Sequence, residues 1–146
     1  MEEVTFRPAT AADLEDIVAL INKCFGQEDT VEHARAMWAK TENDPNQIYV
    51  NGYLGDVLVA HLKITLIPTI YDDMGTFAIL NHVCVHPDYR RHHLGTQLLD
   101  ATFQICREHN VKKVELWSNN FREAAHAMYK RYGFQVADAK FFEYEI

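Results

Sequence analysis

The sequence predicts a mixed α/β fold, in which helices pack on a sheet that has both parallel and antiparallel strands. Three observations predict it: a helical apolar stripe near the N-terminus, three consecutive strand-like segments in the middle, and alternating helix and strand patterns thereafter. The predicted order of elements is β-α-α-β-β-β-α-β-α-β-β.

The N-terminal part is predicted to contain one strand and two helices. Residues 4–7 form a short strand that ends at Pro8. Residues 13–24 form an amphipathic helix, because apolar side chains recur at i, i+3 and i+4: Leu14, Ile17, Val18, Ile21 and Cys24. Residues 30–40 form a second helix, with Thr30 as its N-cap.

The middle of the chain is predicted to form three strands, over residues 47–54, 57–66 and 76–85. Gly55 and Asp56 are typical of a tight hairpin turn between the first two strands. Residues 68–75 form a longer connection to the third.

The C-terminal part is predicted to alternate between helices and strands. Residues 94–109 form a helix, 113–117 a strand, and 121–132 a helix that ends at Gly133. Residues 134–136 and 140–145 are expected to pair as a closing hairpin.

The composition of the chain limits the classes of protein to which it can belong. The chain has 146 residues, which we expect to form one domain over residues 1–146. Its net charge of −7 disfavours nucleic-acid binding and suits a cationic amine substrate. No apolar run approaches the roughly 20 residues that span a bilayer, and the first residues lack the pattern of a secretory signal. The three cysteines never form C-x-x-C, so a reducing cytoplasm is expected.

Two adjacent polar residues, Asn81 and His82, interrupt the otherwise apolar strand 76–85. A buried polar group without partners costs on the order of 1–3 kcal/mol. The pair therefore indicates a cleft, a bulge or an internal hydrogen-bond network, and two satisfied core residues are the alternative.

A cluster of basic residues, Arg90, Arg91, His92 and His93, stands between this strand and the following helix. The start of a helix presents unpaired N–H groups and a partial positive charge, which together suit a phosphate. The local positive charge in an acidic chain predicts a polyphosphate ligand at this turn.

Two segments resemble motifs of the GNAT superfamily of N-acetyltransferases. Arg90-x-x-His93-x-Gly95 is similar to its R/Q-x-x-G-x-G/A acyl-CoA signature, with His93 in place of the first glycine. Some members, including glucosamine-phosphate acetyltransferases, also have a residue with a side chain at this position. Residues 125–134, AHAMYKRYGF, resemble its A-x-x-x-Y-x-x-x-G-F segment. The resemblance implies the GNAT fold, with a sheet splayed between the fourth and fifth strands.

The resemblance also implies which residues bind acetyl-CoA. The splayed strand would pair its backbone with the pantetheine arm, and the turn and helix start would form a pyrophosphate cradle of main-chain N–H groups. The implied cofactor-binding residues are Val83, Cys84, Val85, Arg90, Arg91, His92, His93, Leu94, Gly95, Thr96, Asn119 and Arg122.

Tyr129 and Asn81 are the predicted catalytic residues. The resemblance places Tyr129 against the cofactor sulfur, where a phenol can donate a proton to the leaving thiolate. Asn81 aligns with the general base of some relatives, but an amide accepts no proton at neutral pH. His82 has a suitable pKa range, although strand alternation turns it to the opposite face unless a bulge intervenes. Water could equally carry the proton away.

Arg122 belongs to Ser118-Asn119-x-x-Arg122-x-x-Ala125-His126, which resembles a segment of small-molecule GNAT enzymes such as aminoalkylphosphonate acetyltransferases. Arg122 either binds an acidic group of CoA or substrate, or pairs with a surface carboxylate. The eight histidines match no zinc-ligand spacing, so no metal is expected.

These observations predict an acetyltransferase that moves an acetyl group from acetyl-CoA to a primary amine of a small molecule in a ternary complex. A protein or peptide N-acetyltransferase, a CoA-binding sensor without turnover and a non-enzymatic interaction module are the alternatives. No nucleic-acid or membrane partner is expected, and a homodimer is plausible. Acidic residues that could meet an ammonium group are Glu28, Asp29, Glu32, Asp72 and Asp73.

Overall fold

The computed structural model describes residues 3–71, 73, 75–90 and 92–146. Within them the strands are β1 (Val4–Pro8), β2 (Gln47–Leu54), β3 (Val57–Pro68), β4 (Thr76–Val85) and β5 (Val111–Glu115). The helices are α1 (Leu14–Phe25), α2 (Val31–Thr41), α3 (Leu94–Glu108) and α4 (Glu123–Tyr132). Short 3₁₀ turns precede α1 (Ala11–Asp13) and α3 (Pro87–Tyr89). None of the described helices is long and apolar enough to cross a membrane.

The strands form one mixed sheet in the order β1-β2-β3-β4-β5. Pairing is antiparallel from β1 to β4 and parallel between β4 and β5. The parallel pairing ends at Ile79 and Glu115, and the two strands separate beyond that point. The predicted α/β class with a mixed sheet, splayed between the fourth and fifth strands, is therefore confirmed.

Helices cover both faces of the sheet. The larger core cluster lies between the sheet and α3 and α4, and it includes the fully buried Leu62, Ile64, Leu98 and Leu99. The smaller cluster packs α1 on the other face, through Leu14, Ile17, Leu20, Tyr53, Leu58 and Cys84. Burial of each such large side chain stabilises the fold by roughly 1.5–3 kcal/mol, so these clusters fix the position of β4 between two helical layers.

Local signals determine where the helices begin and end. The Thr30 side chain accepts a hydrogen bond from the His33 N–H at 3.2 Å, which confirms Thr30 as the N-cap of α2. Gly133 ends α4 with φ of 123°, a conformation that L side chains rarely adopt. This confirms the predicted end of that helix.

A β-bulge interrupts β4 at the polar pair. His61 and Lys63 of β3 are two residues apart and face Cys84 and Asn81, which are three residues apart. The extra residue on β4 is accommodated where His82 adopts φ of 54°. As a result both Leu80 and Val83 join the core cluster under α3 and α4.

The predicted closing hairpin is not formed. Residues 134–146 have no regular secondary structure, and large side chains of this segment such as Phe142 and Tyr144 are exposed. Phe141 instead stacks on Trp117, with ring centroids 4.9 Å apart. A two-stranded hairpin is only marginally stable without an apolar surface beneath it, and this segment buries its larger side chains too little to supply one. The fifth strand also begins and ends two residues before its predicted bounds, because the chain leaves β4 after Glu115.

Candidate active site

A cleft opens where β4 and β5 separate. Its volume is about 190 Å³, and we call it the splay cleft. It is lined by β4, by the segment that follows β5, and by residues of α1, α4 and their flanking loops: Phe25, Gln27, Leu80, Asn81, His82, Val83, Leu116, Trp117, Ser118, Asn119, Arg122 and Tyr129. The predicted site residues Asn81, Val83, Asn119, Arg122 and Tyr129 therefore lie together in one cavity.

Tyr129 of α4 lies at the inner end of this cleft, with only 6% of its surface exposed. Its ring packs edge to face on Phe134, with centroids 5.6 Å apart. Burial raises the pKa of Tyr129 above its usual value, and the nearby charge of Arg122 acts in the opposite direction. The phenol is thus protonated at neutral pH and can donate a hydrogen bond to a group in the cleft.

Arg122 contributes positive charge to the cleft. Its guanidinium lies 4.8 Å from the centre of the Phe25 ring. The backbone N–H of Arg122 donates to the Asn119 carbonyl at 3.0 Å. None of the ion pairs among the described residues involves Arg122. Arg122 thus lines the splay cleft without an ion-pair partner among the described residues.

Among the described residues, Oγ of Ser118 is the buried side-chain nitrogen or oxygen atom that has no hydrogen-bond partner. Its Oγ lies in the wall of the splay cleft, between Trp117 and Asn119. An unpaired buried hydroxyl costs free energy, and a ligand that reaches this atom removes that cost.

The start of α3 presents unpaired backbone donors, as predicted. The first helical hydrogen bond runs from the Gln97 N–H to the His93 carbonyl, so the N–H groups of Leu94, Gly95 and Thr96 lack helical partners. The N-cap residue His93 is left-handed, with φ of 58°, and no side chain caps this helix end. Leu94 is buried and anchors the helix start, whereas Thr96 is exposed.

The left-handed backbone at His93 explains why a glycine suits the signature at this position. A histidine can adopt this conformation at some cost, and its side chain is exposed here. Arg90 and His92 are also exposed, and Arg91 lies outside the described residues. Arg90, His92 and His93 border the helix start and do not line the splay cleft itself.

Gly95 also has a packing role that was not predicted. A Cβ at Gly95 would overlap the Sδ atom of Met128 on α4. The glycine therefore allows α3 to pack closely on α4.

A second cavity lies on the opposite side of β4, beneath the first two helices. We call it the α1–α2 pocket, and its volume is about 270 Å³. Its walls are mostly apolar, with polar groups at the sheet: Leu14, Ile17, Val18, Ile21, Asp29, Thr30, His33, Ala34, Met37, Trp38, Tyr49, His61, Lys63 and His82. Of the acidic residues predicted to meet an ammonium group, Asp29 lines this pocket, whereas Glu28, Glu32 and Asp73 are exposed elsewhere and Asp72 lies outside the described residues.

His82 lines both cavities. The bulge turns its ring toward the end of α1, where it meets Phe25 edge to face at 5.5 Å. Desolvation lowers the pKa of His82, with a smaller opposing effect of Asp29. The imidazole is therefore neutral at physiological pH, and His82 is the residue common to the linings of both cavities.

The remaining predicted residues of β4 lie on the face toward α1 or at the strand end. Cys84 is buried against α1, and its thiol is 3.7 Å from the His61 carbonyl. The Val85 carbonyl accepts a hydrogen bond from the Cys24 thiol at 3.4 Å. Cys84 thus belongs to the core beneath α1 and does not line the splay cleft.

Phe25 and His61 were not singled out from the sequence, and Ser118 was named only as part of a motif. His61 and Asn51 each interrupt an apolar strand, as Asn81 and His82 do, and this was the signal that could have found them. No group of three or more His, Cys, Asp or Glu side chains among the described residues is arranged to hold a metal ion.

A family comparison matches this architecture. The model of the acetyltransferase (GNAT) family matches residues 14–134, which include every element from α1 to α4. The chain belongs to this family.

Similar proteins support this assignment. An uncharacterized N-acetyltransferase of Methanocaldococcus jannaschii is 25% identical over 138 residues, which are 90% of this chain. The chain spans 60% of the length of that relative. Among solved structures, a putative acetyltransferase from Agrobacterium tumefaciens has a TM-score of 0.88 at 20% identity, covering 97% of this chain and 99% of that one. A transcriptional regulator from Bacillus halodurans has a TM-score of 0.87 at 24% identity, covering 99% and 100% of the two chains. At these identities the two structures show the fold alone.

Proposed function

We propose that this chain is an N-acetyltransferase that transfers an acetyl group from acetyl-CoA to a primary amine of a small molecule, by direct attack in a ternary complex. The observation that carries the proposal is the position of His82, which lies between the splay cleft and the α1–α2 pocket. A thioester in one cavity and an amine in the other would meet at this residue. We infer that residues 1–146 act as one domain.

The residues of the splay cleft fit the thioester arm of acetyl-CoA. The orphaned Ser118 hydroxyl and the unpaired β4 edge beyond Ile79 offer polar groups to the arm, and the open N–H groups of Leu94, Gly95 and Thr96 suit its pyrophosphate. Arg122 supplies a positive charge nearby. Acetyl-CoA supplies the acetyl group and a thiolate that leaves.

Tyr129 and His82 divide the proton transfers between them. The amine nitrogen forms the new bond to the acetyl carbon, and the carbon–sulfur bond breaks. His82, neutral at physiological pH, accepts the proton that the amine loses, and the Tyr129 hydroxyl donates a proton to the sulfur. Exchange of both groups with solvent restores their initial states.

Asn81 is assigned a binding role. It lines the splay cleft beside His82, where its amide can orient the acetyl group or a water molecule. Asn81 was the position aligned with the general base of some relatives. Because of the bulge, the adjacent His82 is proposed as the base instead.

The proposed cellular location is the cytoplasm. Cys24, Cys84 and Cys106 are free thiols, which supports a reducing compartment.

The test is release of free thiol from acetyl-CoA, measured with and without a panel of small primary amines and one basic peptide. Release that depends on a small amine supports the proposal. Binding of acetyl-CoA without amine-dependent release would instead favour a sensor, and acceleration by the peptide alone would favour a peptide acetyltransferase. A protein that does not bind acetyl-CoA would contradict all three assignments.

A further inference from the structure

A buried hydrogen-bond network connects the first strand to the floor of the α1–α2 pocket. The Asp13 carboxylate accepts two bonds from the Arg7 guanidinium, at 2.9 and 3.0 Å, and one from the Tyr53 hydroxyl at 2.6 Å. The Asn51 amide nitrogen donates to the Tyr53 oxygen at 3.3 Å. The Asn51 Oδ1 lies 2.7 Å from Nδ1 of His61.

The direction of these bonds determines the tautomer of His61. A carboxylate is an acceptor alone, so Tyr53 must donate to Asp13, and the Tyr53 oxygen then accepts from the Asn51 amide nitrogen. This orients Oδ1 of Asn51 toward His61, and Nδ1 of His61 carries the proton. Nε2 is therefore an unprotonated acceptor, and because His61 lines the α1–α2 pocket, Nε2 is the ring nitrogen left for that pocket.

Burial keeps this imidazole neutral. His61 is 2% exposed, and its surroundings hold its pKa at about 3, first through desolvation and then through the nearby His82. The other titratable or charged groups around the pocket are Lys63 on the same strand, Tyr49 on β2, Asp29 before α2 and His33 on α2. A group with so low a pKa is a poor base but a permanent hydrogen-bond acceptor.

The pocket above His61 is built for an apolar body. Ile17, Met37 and Trp38 belong to its helical walls, and the Tyr49 ring stacks near His61 at 6.3 Å. Among the described residues, Asp29 is the one carboxylate that lines it, and the cationic Lys63 lies on the Tyr49 ring at 5.3 Å. A molecule with several ammonium groups would find few partners here, whereas an aromatic ring would find an apolar surface.

We propose that the acceptor is a monoamine with an apolar or aromatic body, and that Nε2 of His61 accepts a hydrogen bond from its amino group. This inference rests on the proposed function and names its substrate class. His61 binds and orients the nitrogen, and His82, at the junction of the cavities, takes the proton. The network from Asp13 to Asn51 acts through His61, so its members are positioning residues.

Two variants of His61 separate contact with the substrate from support of the fold. His61→Gln places an amide oxygen near the position of Nε2, whereas His61→Asn keeps a group near Nδ1 for Asn51 and loses the contact. We expect His61→Asn to raise KM for phenethylamine by about tenfold, while His61→Gln stays within about threefold of the wild type. The KM for acetyl-CoA should change little in either variant, whereas the Tm should fall more in His61→Gln, which loses the bond to Asn51, than in His61→Asn. An unchanged amine KM in a folded His61→Asn protein would overturn the inference.

The substrate class is tested with the wild-type protein. We expect kcat/KM for phenethylamine to exceed that for spermidine and kanamycin by about tenfold or more. Preference for either polycation would overturn the inference while leaving the proposed acetyltransferase activity intact. If no amine accelerates thiol release, the proposed function fails. The tautomer and protonation of His61 can then still be measured by NMR.

NMR of the imidazole nitrogens measures the tautomer and protonation of His61 in the wild-type protein. We expect one histidine to keep a protonated Nδ1 and an unprotonated Nε2 between about pH 5 and pH 8, and the Nε2 resonance to shift when phenethylamine is added. A His61 with the opposite tautomer, or one that titrates near its ordinary pKa, would contradict the network argument.

Discussion

The two cavities on either side of β4 are built in different ways. The splay cleft exists because two parallel strands separate after Ile79 and Glu115, so its shape follows from the backbone. The α1–α2 pocket is bounded by side chains of two helices and by a buried polar network beneath them. The comparison suggests that the first cavity sets the general reaction and the second sets the choice of acceptor. Changes in each cavity should therefore have different kinetic consequences.

The largest expected effect lies in the splay cleft. Tyr129→Phe removes the hydroxyl that would donate a proton to the sulfur and keeps the buried ring. We expect kcat to fall by about tenfold or more, with little change in the amine KM, because general acids contribute at least this much. Steady-state kinetics of thiol release measures both constants.

Tyr132→Phe is the matched control on the same helix. The Tyr132 hydroxyl donates to Asp100 at 2.7 Å and does not line the splay cleft. Its activity should equal that of the wild type. Equal activities of both variants would remove Tyr129 from the mechanism.

The junction of the cavities is tested by His82→Asn. Asparagine tolerates the left-handed backbone at this position, so the variant removes the base and preserves the bulge. We expect kcat at neutral pH to fall by about tenfold. His109→Asn, at the exposed end of α3, is the control.

The pH profile gives a second readout for His82. A base acts when deprotonated, so the wild-type rate should fall as the pH decreases through the pKa of His82, which lies below its usual value near 6.5. The variant should lose this acidic limb. A variant that keeps the same limb would show that another group accepts the proton.

The buried network beneath the α1–α2 pocket is tested through stability. Asp13→Asn should lower the free energy of unfolding by roughly 1–3 kcal/mol, because the carboxylate accepts charge-assisted bonds from Arg7 and a bond from Tyr53. Asp16→Asn, on the exposed side of α1, should change it little. Denaturant unfolding measures both variants.

The difference in unfolding free energy between the wild type and Asp13→Asn should depend on pH, because the pKa of Asp13 is lowered in the folded state. The bond to Arg7 is the main factor that holds this pKa below its usual value. The contribution of Asp13 is therefore fully present above about pH 4 and is lost as the pH falls toward the lowered pKa of the folded state. The wild type and Asp13→Asn should become more alike in acid, and a difference that widens there would contradict this account.

The smallest effect is expected where α3 packs on α4. Gly95→Ala would place a methyl group against Met128, and we expect a loss of about 1 kcal/mol in unfolding free energy, because the flexible Met128 side chain can move partly aside. Shortening Met128 to alanine in the same protein should remove most of that added cost. An additive double-mutant cycle would show that the two residues do not interact.

The sequence predicts the splay cleft better than the pocket opposite it. The bounds of β2 and β4 follow from regular patterns, and Tyr129, Asn119 and Arg122 were found through motifs whose spacing fixes their place on the fold. The sequence left the orientation of His82 open, because the polar pair indicates a cleft, a bulge or a network, and only a bulge reverses the alternation of the strand.

The network to His61 depends on contacts between distant segments. Asn51 and His61 face each other because β2 and β3 pair in one particular register, and Tyr53 reaches Asp13 across 40 positions of the sequence. Each residue alone is a polar interruption in an apolar strand. Only the assembled sheet shows that they form one hydrogen-bonded path.

The most direct test of the account is whether both cavities are occupied at once. Initial rates measured at several concentrations of acetyl-CoA and amine, with mass spectrometry of the protein after exposure to acetyl-CoA alone, address this question. The account predicts intersecting reciprocal plots and no acetylated protein. Parallel plots, together with an acetyl group retained on the protein, would show a covalent intermediate and contradict direct transfer between the two cavities.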